Sequence, residues 1–388
     1  MRIGIPKEIL DGERCVALVP KMVAQLINKD QQVLIEKDAG VTAFFPDTMY
    51  EQAGATIVPD AQGLYADADV VMKVKPPQMN VSTGKHEVEM MKSGAVYIGF
   101  LAQSLNHDII QQMLKKGITC FAMDLIPRIA RSQSMDALSS MASIAGYRAI
   151  LIAASHIGKF FPLMMTAAGT IPPAKVLVLG AGVAGLQAIA TSRRLGARAE
   201  AFDTRPAVRE QVESLGAQFI EMELVKDAET TGGYAKEMSE EYIKKELEII
   251  GNRIEQNDVV ITTAQIFGKK APILITEEMV KRMKHGSIIV DLAAEQGGNC
   301  ELTEPGKSVT RHGVIVCGIM NLPSTLPIDA SRMYSKNITN LFKHLYDTKD
   351  GSYDFEDEIT NSTCIIHKGK IVNKLVEKAF QKGEQTHD

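Results

Sequence analysis

The stretch Lys175–Asp203, KVLVLGAGVAGLQAIATSRRLGARAEAFD, decides the fold of this chain. An apolar strand, KVLVL, runs into a glycine-rich turn, and a helical pattern follows the turn. Gly180 permits a tight turn, Gly182 lets the backbone approach a pyrophosphate, and Gly185 allows close contact between helix and strand. The N-terminus of the helix then offers its N–H groups and its dipole to phosphates. The turn therefore predicts a dinucleotide site.

Asp203 ends the next predicted strand, ARAEAFD, 18 residues after Gly185. A carboxylate at this place accepts hydrogen bonds from the adenine ribose and repels a 2′-phosphate, so NAD(H) is expected rather than NADP(H). Arg205 keeps the alternative open, because an arginine nearby can accommodate that phosphate.

Apolar runs of strand length alternate with helical patterns on both sides of this turn. Because the runs are continuous, they predict parallel sheets covered on both faces. The expected fold is α/β, with two Rossmann-like, doubly wound domains joined by long helices and the nucleotide in the cleft. Six strands are predicted in the second domain: Val176–Leu179, Ala199–Phe202, Gln218–Met222, Val259–Thr263, Ser287–Asp291 and Val314–Cys317.

The domains are expected to be discontinuous in sequence. Residues 1–137 with 325–388 form the first domain in this prediction, and residues 138–324 form the nucleotide-binding domain. Ser132–Phe160 is rich in small and apolar residues and is predicted as a helical connection between them. Residues 225–240 lack a strong pattern, which predicts a mobile loop, with a tolerated surface insertion as the alternative.

Composition excludes several classes of function. The 388 residues carry 43 Lys+Arg against 47 Asp+Glu, with no long basic block, so nucleic-acid binding has no electrostatic support. Five scattered cysteines indicate reduced thiols, and the histidine spacing predicts no metal site. The N-terminus carries no apolar signal, and no stretch is predicted to cross a membrane. A cytoplasmic location is expected.

The sequence shows the reacting groups less clearly than the nucleotide site. A dehydrogenase that acts on a hydroxyl or amine needs a general acid or base near the reacting carbon. A polar cluster lies at the predicted domain junction: Arg128, Arg131, Gln133, Asp136 and Ser139. A structural ion pair between Arg128 and Asp136 is an equal alternative to a catalytic role.

Six segments together resemble one family. They are IGIPKE, MKVKPP, PRIARSQSMDALSSMASIAGYRA, MMTAAGTIPPAKVLVLGAGVAGLQAIATSRRLGA, TGGYAKEM and DLAAEQGGNCELTEPGK. The chain resembles the NAD(H)-binding alpha component of the proton-translocating NAD(P)+ transhydrogenases over nearly its whole length. The alanine dehydrogenases share the two-domain framework and are the nearest alternative.

The resemblance implies Re/Si-specific hydride transfer between NADH, bound here, and NADP+, bound on a partner subunit, coupled to proton translocation. Such a step depends on the placement of the two rings. The family match makes Arg128, Gln133, Asp136 and Ser139 the candidate catalytic residues that hold the dihydronicotinamide. It places Tyr234 at the tip of the mobile loop and adds nucleotide contacts at Val183, Ala184, Asp203, Thr204, Arg205, Gly233 and Ile266.

The resemblance also implies a homodimer that assembles with NADP(H)-binding and membrane-spanning subunits, peripheral on the cytoplasmic face of the inner membrane. Alanine chemistry is disfavoured by three departures from the dehydrogenases. YIGFLAQSLN lacks their histidine, Glu295 replaces their aspartate, and Cys15 replaces an arginine that binds the substrate carboxylate. Lys75 is shared by both groups and is interpreted as structural here. A catalytically silent NAD-sensing subunit is the third hypothesis.

Overall fold

The computed structural model describes residues 1–28, 30–103, 106–222, 240–266, 269–347 and 352–384. The strands are β1 (Arg2–Ile5), β2 (Gln32–Glu36), β3 (Thr56–Val58), β4 (Val70–Met72), β5 (Met79–Asn80), β6 (Lys85–His86), β7 (Val96–Gly99), β8 (Thr119–Ala122), β9 (Met164–Thr166), β10 (Gly169–Ile171), β11 (Lys175–Leu179), β12 (Arg198–Phe202), β13 (Gln218–Ile220), β14 (Val259–Thr262), β15 (Ile288–Asp291), β16 (Ser308–Arg311), β17 (Val314–Cys317), β18 (Cys364–His367) and β19 (Lys370–Ile371).

The helices are α1 (Pro20–Leu26), α2 (Asp47–Gln52), α3 (Ala61–Asp67), α4 (Glu87–Met90), α5 (His107–Lys116), α6 (Ala137–His156), α7 (Val183–Arg194), α8 (Arg209–Ser214), α9 (Glu240–Ile254), α10 (Glu277–Arg282), α11 (Pro327–Tyr346), α12 (Glu358–Thr363) and α13 (Lys374–Glu384). Short 3₁₀ helices lie at Val41–Ala43, Met123–Leu125, Ala130–Met135, Pro206–Val208, Ala294–Gln296 and Leu322–Thr325.

The chain divides into two compact units. The first unit is Met1–Met141 with Pro323–Asp388, and the second is Ala142–Leu322. The chain passes from the first unit to the second within α6 and returns within the short 3₁₀ helix Leu322–Thr325.

The first unit contains a sheet in the order β3-β2-β1-β4-β7-β8-β18-β19. The strands from β3 to β8 are parallel. Nearly all residues of β1, β4, β7 and β8 are buried, as is typical of parallel strands covered on both faces. The C-terminal strands β18 and β19 add antiparallel partners at the β8 edge. The doubly wound prediction is therefore confirmed, and the purely parallel sheet is corrected to a mixed one.

The second unit contains a sheet in the order β13-β12-β11-β14-β15-β17-β16. All pairs are parallel except β16 with β17, which form an antiparallel hairpin at the edge. The prediction of six strands was wrong, because it did not include the edge strand β16. A separate two-stranded sheet, β9 with β10, precedes β11, and the sequence patterns did not predict it.

Helix α6 begins later than the predicted helical connection at Ser132–Phe160. Residues up to Met135 form a 3₁₀ helix, and α6 starts after Asp136. Within the described part of the chain, α6 is the one helix long and apolar enough to span a membrane by length and composition. Buried helices of other proteins share these features, and its residues Ala149, Ile150 and Ala153 belong to the core of the second unit.

Candidate functional site

The glycine turn between β11 and α7 forms the centre of the candidate site. Gly180 adopts a φ of +98°, and the Thr263 hydroxyl, which follows β14, donates to the Gly180 carbonyl at 2.9 Å. Gly182 is the N-cap of α7 and offers no capping side chain. The first N–H groups of a helix have no partners within it, so they are available to an anionic group.

The three glycines of the turn are needed for different reasons. A Cβ on Gly180 would collide with the Thr263 hydroxyl, and a Cβ on Gly185 would collide with the Gly180 carbonyl oxygen. A Cβ on Gly182 would meet nothing within 4 Å. The fold therefore requires glycine at Gly180 and Gly185, whereas the space beside Gly182 is open and fits the close approach of a phosphate.

Asp203 follows β12 and joins the end of that strand to the turn. Its carboxylate accepts a hydrogen bond from the Ala181 N–H at 2.7 Å. Arg205 donates its backbone N–H to the same carboxylate at 2.9 Å, and its Nε and Nη2 lie 3.0 and 2.9 Å away. A ribose that binds Asp203 would therefore compete with Arg205 for the carboxylate oxygens.

A second carboxyl group, Glu246 of α9, is close enough to Asp203 for their charges to interact. Burial, followed by the negative charge of Asp203, raises the pKa of Glu246 to about 7. Asp203 thus has a second acidic group, Glu246, and an arginine, Arg205, nearby. Thr204 lies between Asp203 and Arg205.

Ile266 lies on the segment after β14. Hydrogen bonds of the Asn299 side chain, which the sequence did not predict, hold this segment. The Asn299 side chain accepts from the Ala264 N–H at 3.0 Å and donates to the Ala264 and Pro272 carbonyls at 2.9 and 2.8 Å. Asp291 in turn accepts from the Asn299 N–H at 2.8 Å. Both residues belong to DLAAEQGGN, which the sequence offered only as a family motif.

The polar residues predicted near the domain junction belong to the first unit or its border. Arg128, Arg131 and Gln133 are exposed. Asp136 caps α6, because its carboxylate accepts from the Ser139 N–H at 2.9 Å and from the Ser139 hydroxyl at 2.6 Å. The structure therefore brings Asp136 and Ser139 together and gives both a structural role in starting α6.

Two predicted contacts, Gly233 and Tyr234, lie outside the described residues, as does nearly all of the predicted loop 225–240. Lys75, which was interpreted as structural, has its Nζ 3.5 Å from a Glu13 carboxylate oxygen. The other oxygen of Glu13 accepts from the Cys15 N–H at 2.7 Å, and Cys15 is buried.

The five cysteines are free and buried, as expected of reduced thiols. Burial raises the pKa of Cys300 to about 11, which keeps this thiol protonated at neutral pH. Among the residues that the structure describes, no group of three or more His, Cys, Asp and Glu side chains is arranged to hold a metal ion.

Comparison with known proteins identifies the family. Residues 4–145 match the alanine dehydrogenase/PNT N-terminal domain, and residues 149–374 match the C-terminal domain. The chain is 50% identical over 377 residues to an NAD(P) transhydrogenase subunit alpha protein of Rhodospirillum rubrum, covering 96% of this chain and 98% of that protein. It is 44% identical over 381 residues to the corresponding protein of Rickettsia prowazekii, covering 98% of each.

Solved structures agree with this relationship. The transhydrogenase of Sinorhizobium meliloti matches with a TM-score of 0.83 at 39% identity, over 97% of this chain and 100% of that one. An L-alanine dehydrogenase matches with a TM-score of 0.81 at 26% identity, over 98% and 99% of the two chains. The Rossmann-like fold and the family prediction are thereby confirmed: the chain belongs to the alanine dehydrogenase/PNT family, among the NAD(P) transhydrogenase alpha subunits.

Proposed function

We propose that this chain binds NADH and passes its hydride directly to NADP+ held by a partner subunit, in an assembly that couples the transfer to proton translocation. The observation that carries the proposal is the open space beside Gly182 next to Asp203, in a chain of this family. The pyrophosphate of NADH would lie at the N-terminus of α7, where backbone N–H groups and the helix dipole favour negative charge.

The charges around Asp203 support NADH over NADPH as the nucleotide of this site. Asp203 would repel a 2′-phosphate, and Arg205 offsets part of that charge through its ion pair at 2.9 Å. Glu246 restores negative charge when it ionises, and its pKa of about 7 makes this contribution grow above neutral pH. The balance therefore favours a ribose with free hydroxyl groups. Val183, Ala184, Thr204 and Ile266 are proposed as further nucleotide contacts.

The proposed reaction requires this chain to hold a ring in place. NADH itself supplies the hydride, so no acid or base of the chain has to act at the reacting carbon. Arg128, Gln133, Asp136 and Ser139 are proposed to hold the dihydronicotinamide end. Asp136 and Ser139 fix each other by two hydrogen bonds, which limits the reorganisation needed before transfer. The 225–240 loop, with Gly233 and Tyr234, is proposed to close over the nucleotide.

The proposed assembly is a homodimer of this chain with NADP(H)-binding and membrane-spanning subunits, on the cytoplasmic face of the inner membrane. The name shared by its relatives, subunit alpha of NAD(P) transhydrogenase, supports a multi-subunit complex.

A hydride-transfer assay tests the proposal. The purified chain is mixed with NADPH and a spectrally distinct NAD+ analogue, with and without the purified NADP(H)-binding subunit. We expect reduction of the analogue only when both proteins are present. NADH binding without transfer in the reconstituted assembly would instead support the NAD-sensing hypothesis.

The alanine-dehydrogenase alternative is measured in the same samples. Steady oxidation of NADH with pyruvate and ammonia, by this chain alone, would establish an amino-acid oxidoreductase and refute the transhydrogenase proposal. We expect no such turnover, because Cys15 is buried at the position of the substrate-binding arginine.

A further inference from the structure

The 3₁₀ helix Ala130–Met135 carries Gln133 and leads into Asp136, yet it is a weak structure by itself. It has six residues, whereas 3₁₀ runs longer than about four residues are uncommon because their hydrogen bonds are poorly aligned. Its N-cap, Ile129, contributes no side-chain hydrogen bond. The position of Gln133 therefore depends on contacts made by residues outside this helix.

The C-terminal part of the first unit supplies those contacts. Asn337 and Asn340 of α11 donate their side-chain N–H groups to the Ser134 carbonyl at 2.9 and 3.1 Å. Arg131 Nη2 donates to Asp357 Oδ2 at 2.8 Å. Three hydrogen bonds thus connect this short helix to residues more than 200 positions away in sequence.

Asp357 has several hydrogen-bond partners besides Arg131. Its Oδ1 accepts from the Ile359 and Thr360 N–H groups at 2.9 and 3.2 Å, which caps α12, and His344 Nε2 lies 2.9 Å from the same oxygen. Burial opposes ionisation, but the hydrogen bonds from Arg131, Thr360 and His344 outweigh it and lower the pKa of Asp357 to about 2. Asp357 is therefore ionised at neutral pH and presents a negative charge to Arg131.

We infer that Asp357 is a positioning residue for hydride transfer, which acts by holding Arg131 and so orienting the helix that carries Gln133. The inference rests on the proposed function, because it assigns Gln133 to the dihydronicotinamide. Arg131 is 62% exposed, and ion pairs of this kind contribute little to global stability. The Arg131–Asp357 ion pair therefore affects the geometry of the site and not the global stability of the protein.

Arg131→Gln is the main test, because an exposed side chain can be changed without endangering folding. We expect single-turnover hydride transfer to NADP+ on the partner subunit to slow by about three- to tenfold, well below the roughly 100-fold cost of a 1 Å misplacement. The Kd for NADH and the Tm stay at the wild-type values. Arg131→Lys, which keeps the charge, should recover part of the rate.

Asp357→Asn tests the same contact from the other side, because asparagine caps a helix about as well as aspartate. The double variant Arg131→Gln/Asp357→Asn should be no slower than the slower single variant, since both remove one interaction. Asp329→Asn is the matched control. It breaks an exposed ion pair with Arg332 within α11 and should leave the rate unchanged.

The outcomes separate the inference from the function on which it rests. A wild-type rate in both single variants would overturn the inference, and so would rate losses that add fully in the double variant. A fall in NADH affinity as large as the fall in rate would also overturn it. Absence of transfer by the wild-type chain with its partner subunit would instead refute the proposed function, and the inference with it, before any variant is compared.

Discussion

The two sheets of this chain share a doubly wound strand order. They differ in the residues that lie at the point where the strand order changes direction. In the first unit the strand order changes direction between β1 and β4, and in the second between β11 and β14. Ligands of doubly wound sheets bind in the crevice outside the carboxyl ends of the strands at such a switch point. Topology alone therefore offers two equivalent places for a nucleotide.

Side chains distinguish the two places. In the first unit, Glu8 follows β1 and Lys73 follows β4, and both are buried. Lys73 Nζ lies 2.7 Å from Glu87 and 3.6 Å from Glu8, while the Tyr65 hydroxyl donates to Glu87 at 2.6 Å. The second unit has glycines and Thr263 at the corresponding positions. The first switch point is occupied by the charges of the chain itself, and the second has room for a ligand.

The largest effect is expected from Lys73→Met, which removes the cation from the first switch point. Glu87 and Glu8 would remain buried without their partner, and breaking a buried pair in this way costs about 3–5 kcal/mol. Urea unfolding should show this loss, while the folded variant retains wild-type NADH affinity.

Lys92→Met provides the control for this variant. It breaks an exposed ion pair with Asp69 in the same unit and should stay within about 1 kcal/mol of the wild type. Equal losses in the two variants would show that the buried cluster has no special importance for the first unit.

The pH dependence of stability gives the next largest effect. Burial, only partly offset by Lys73, raises the pKa of Glu8 from 4.5 to about 7. The folded chain thus keeps a proton that the unfolded chain releases, so the free energy of unfolding falls as pH rises from 4.5 to 7. At about 1.4 kcal/mol per pKa unit the fall amounts to about 3 kcal/mol.

Urea unfolding at pH 5 and pH 8 measures this contribution. Glu8→Gln should reduce the difference in unfolding free energy between the two pH values, whereas the exposed Glu89→Gln should leave it unchanged. A wild-type difference in Glu8→Gln would show that another group carries the pH dependence.

Strands with buried aliphatic side chains could be predicted from sequence, because a short continuous apolar run between turn residues is typical of a strand covered on both faces. The predicted Val314–Cys317 agrees with β17 to the residue. The hairpin β9–β10 could not be found this way, since its residues from Met165 to Ile171 are exposed and show no hydrophobic period. The start of α11 has a local signal, because Pro327 occupies its first position and proline is favoured there.

The candidate site was predictable where its residues are close in sequence. The glycine turn and the placement of Asp203 after β12 follow from local rules about strands and helix starts. The contacts of Asp357 with Arg131, and of Asn299 with Ala264, join distant segments that only the tertiary fold brings together. A single sequence contains no local signal for such pairs.

Gly185→Ala and Gly182→Ala test the comparison in the second unit. The new Cβ at Gly185 would collide with the Gly180 carbonyl, and forcing extra atoms into a packed region costs about 1–3 kcal/mol. At Gly182 the Cβ has free space, so the unfolding free energy should stay near the wild-type value while NADH affinity falls. Equal destabilisation by both variants, measured in urea, would contradict the view that Gly182 serves the ligand rather than the fold.

Asp203→Asn should weaken NADH binding by about 1–3 kcal/mol, the range for losing a charged hydrogen-bond acceptor. Titration of nucleotide fluorescence gives the Kd, and Glu200→Gln on β12, the strand that Asp203 follows, is the control. The variant also releases the Arg205 guanidinium from its ion pair, so affinity for NADPH should fall less than affinity for NADH, or rise. Unchanged NADH affinity would remove Asp203 from the site. The second switch point would then be an open turn in which Asp203 does not select NADH over NADPH.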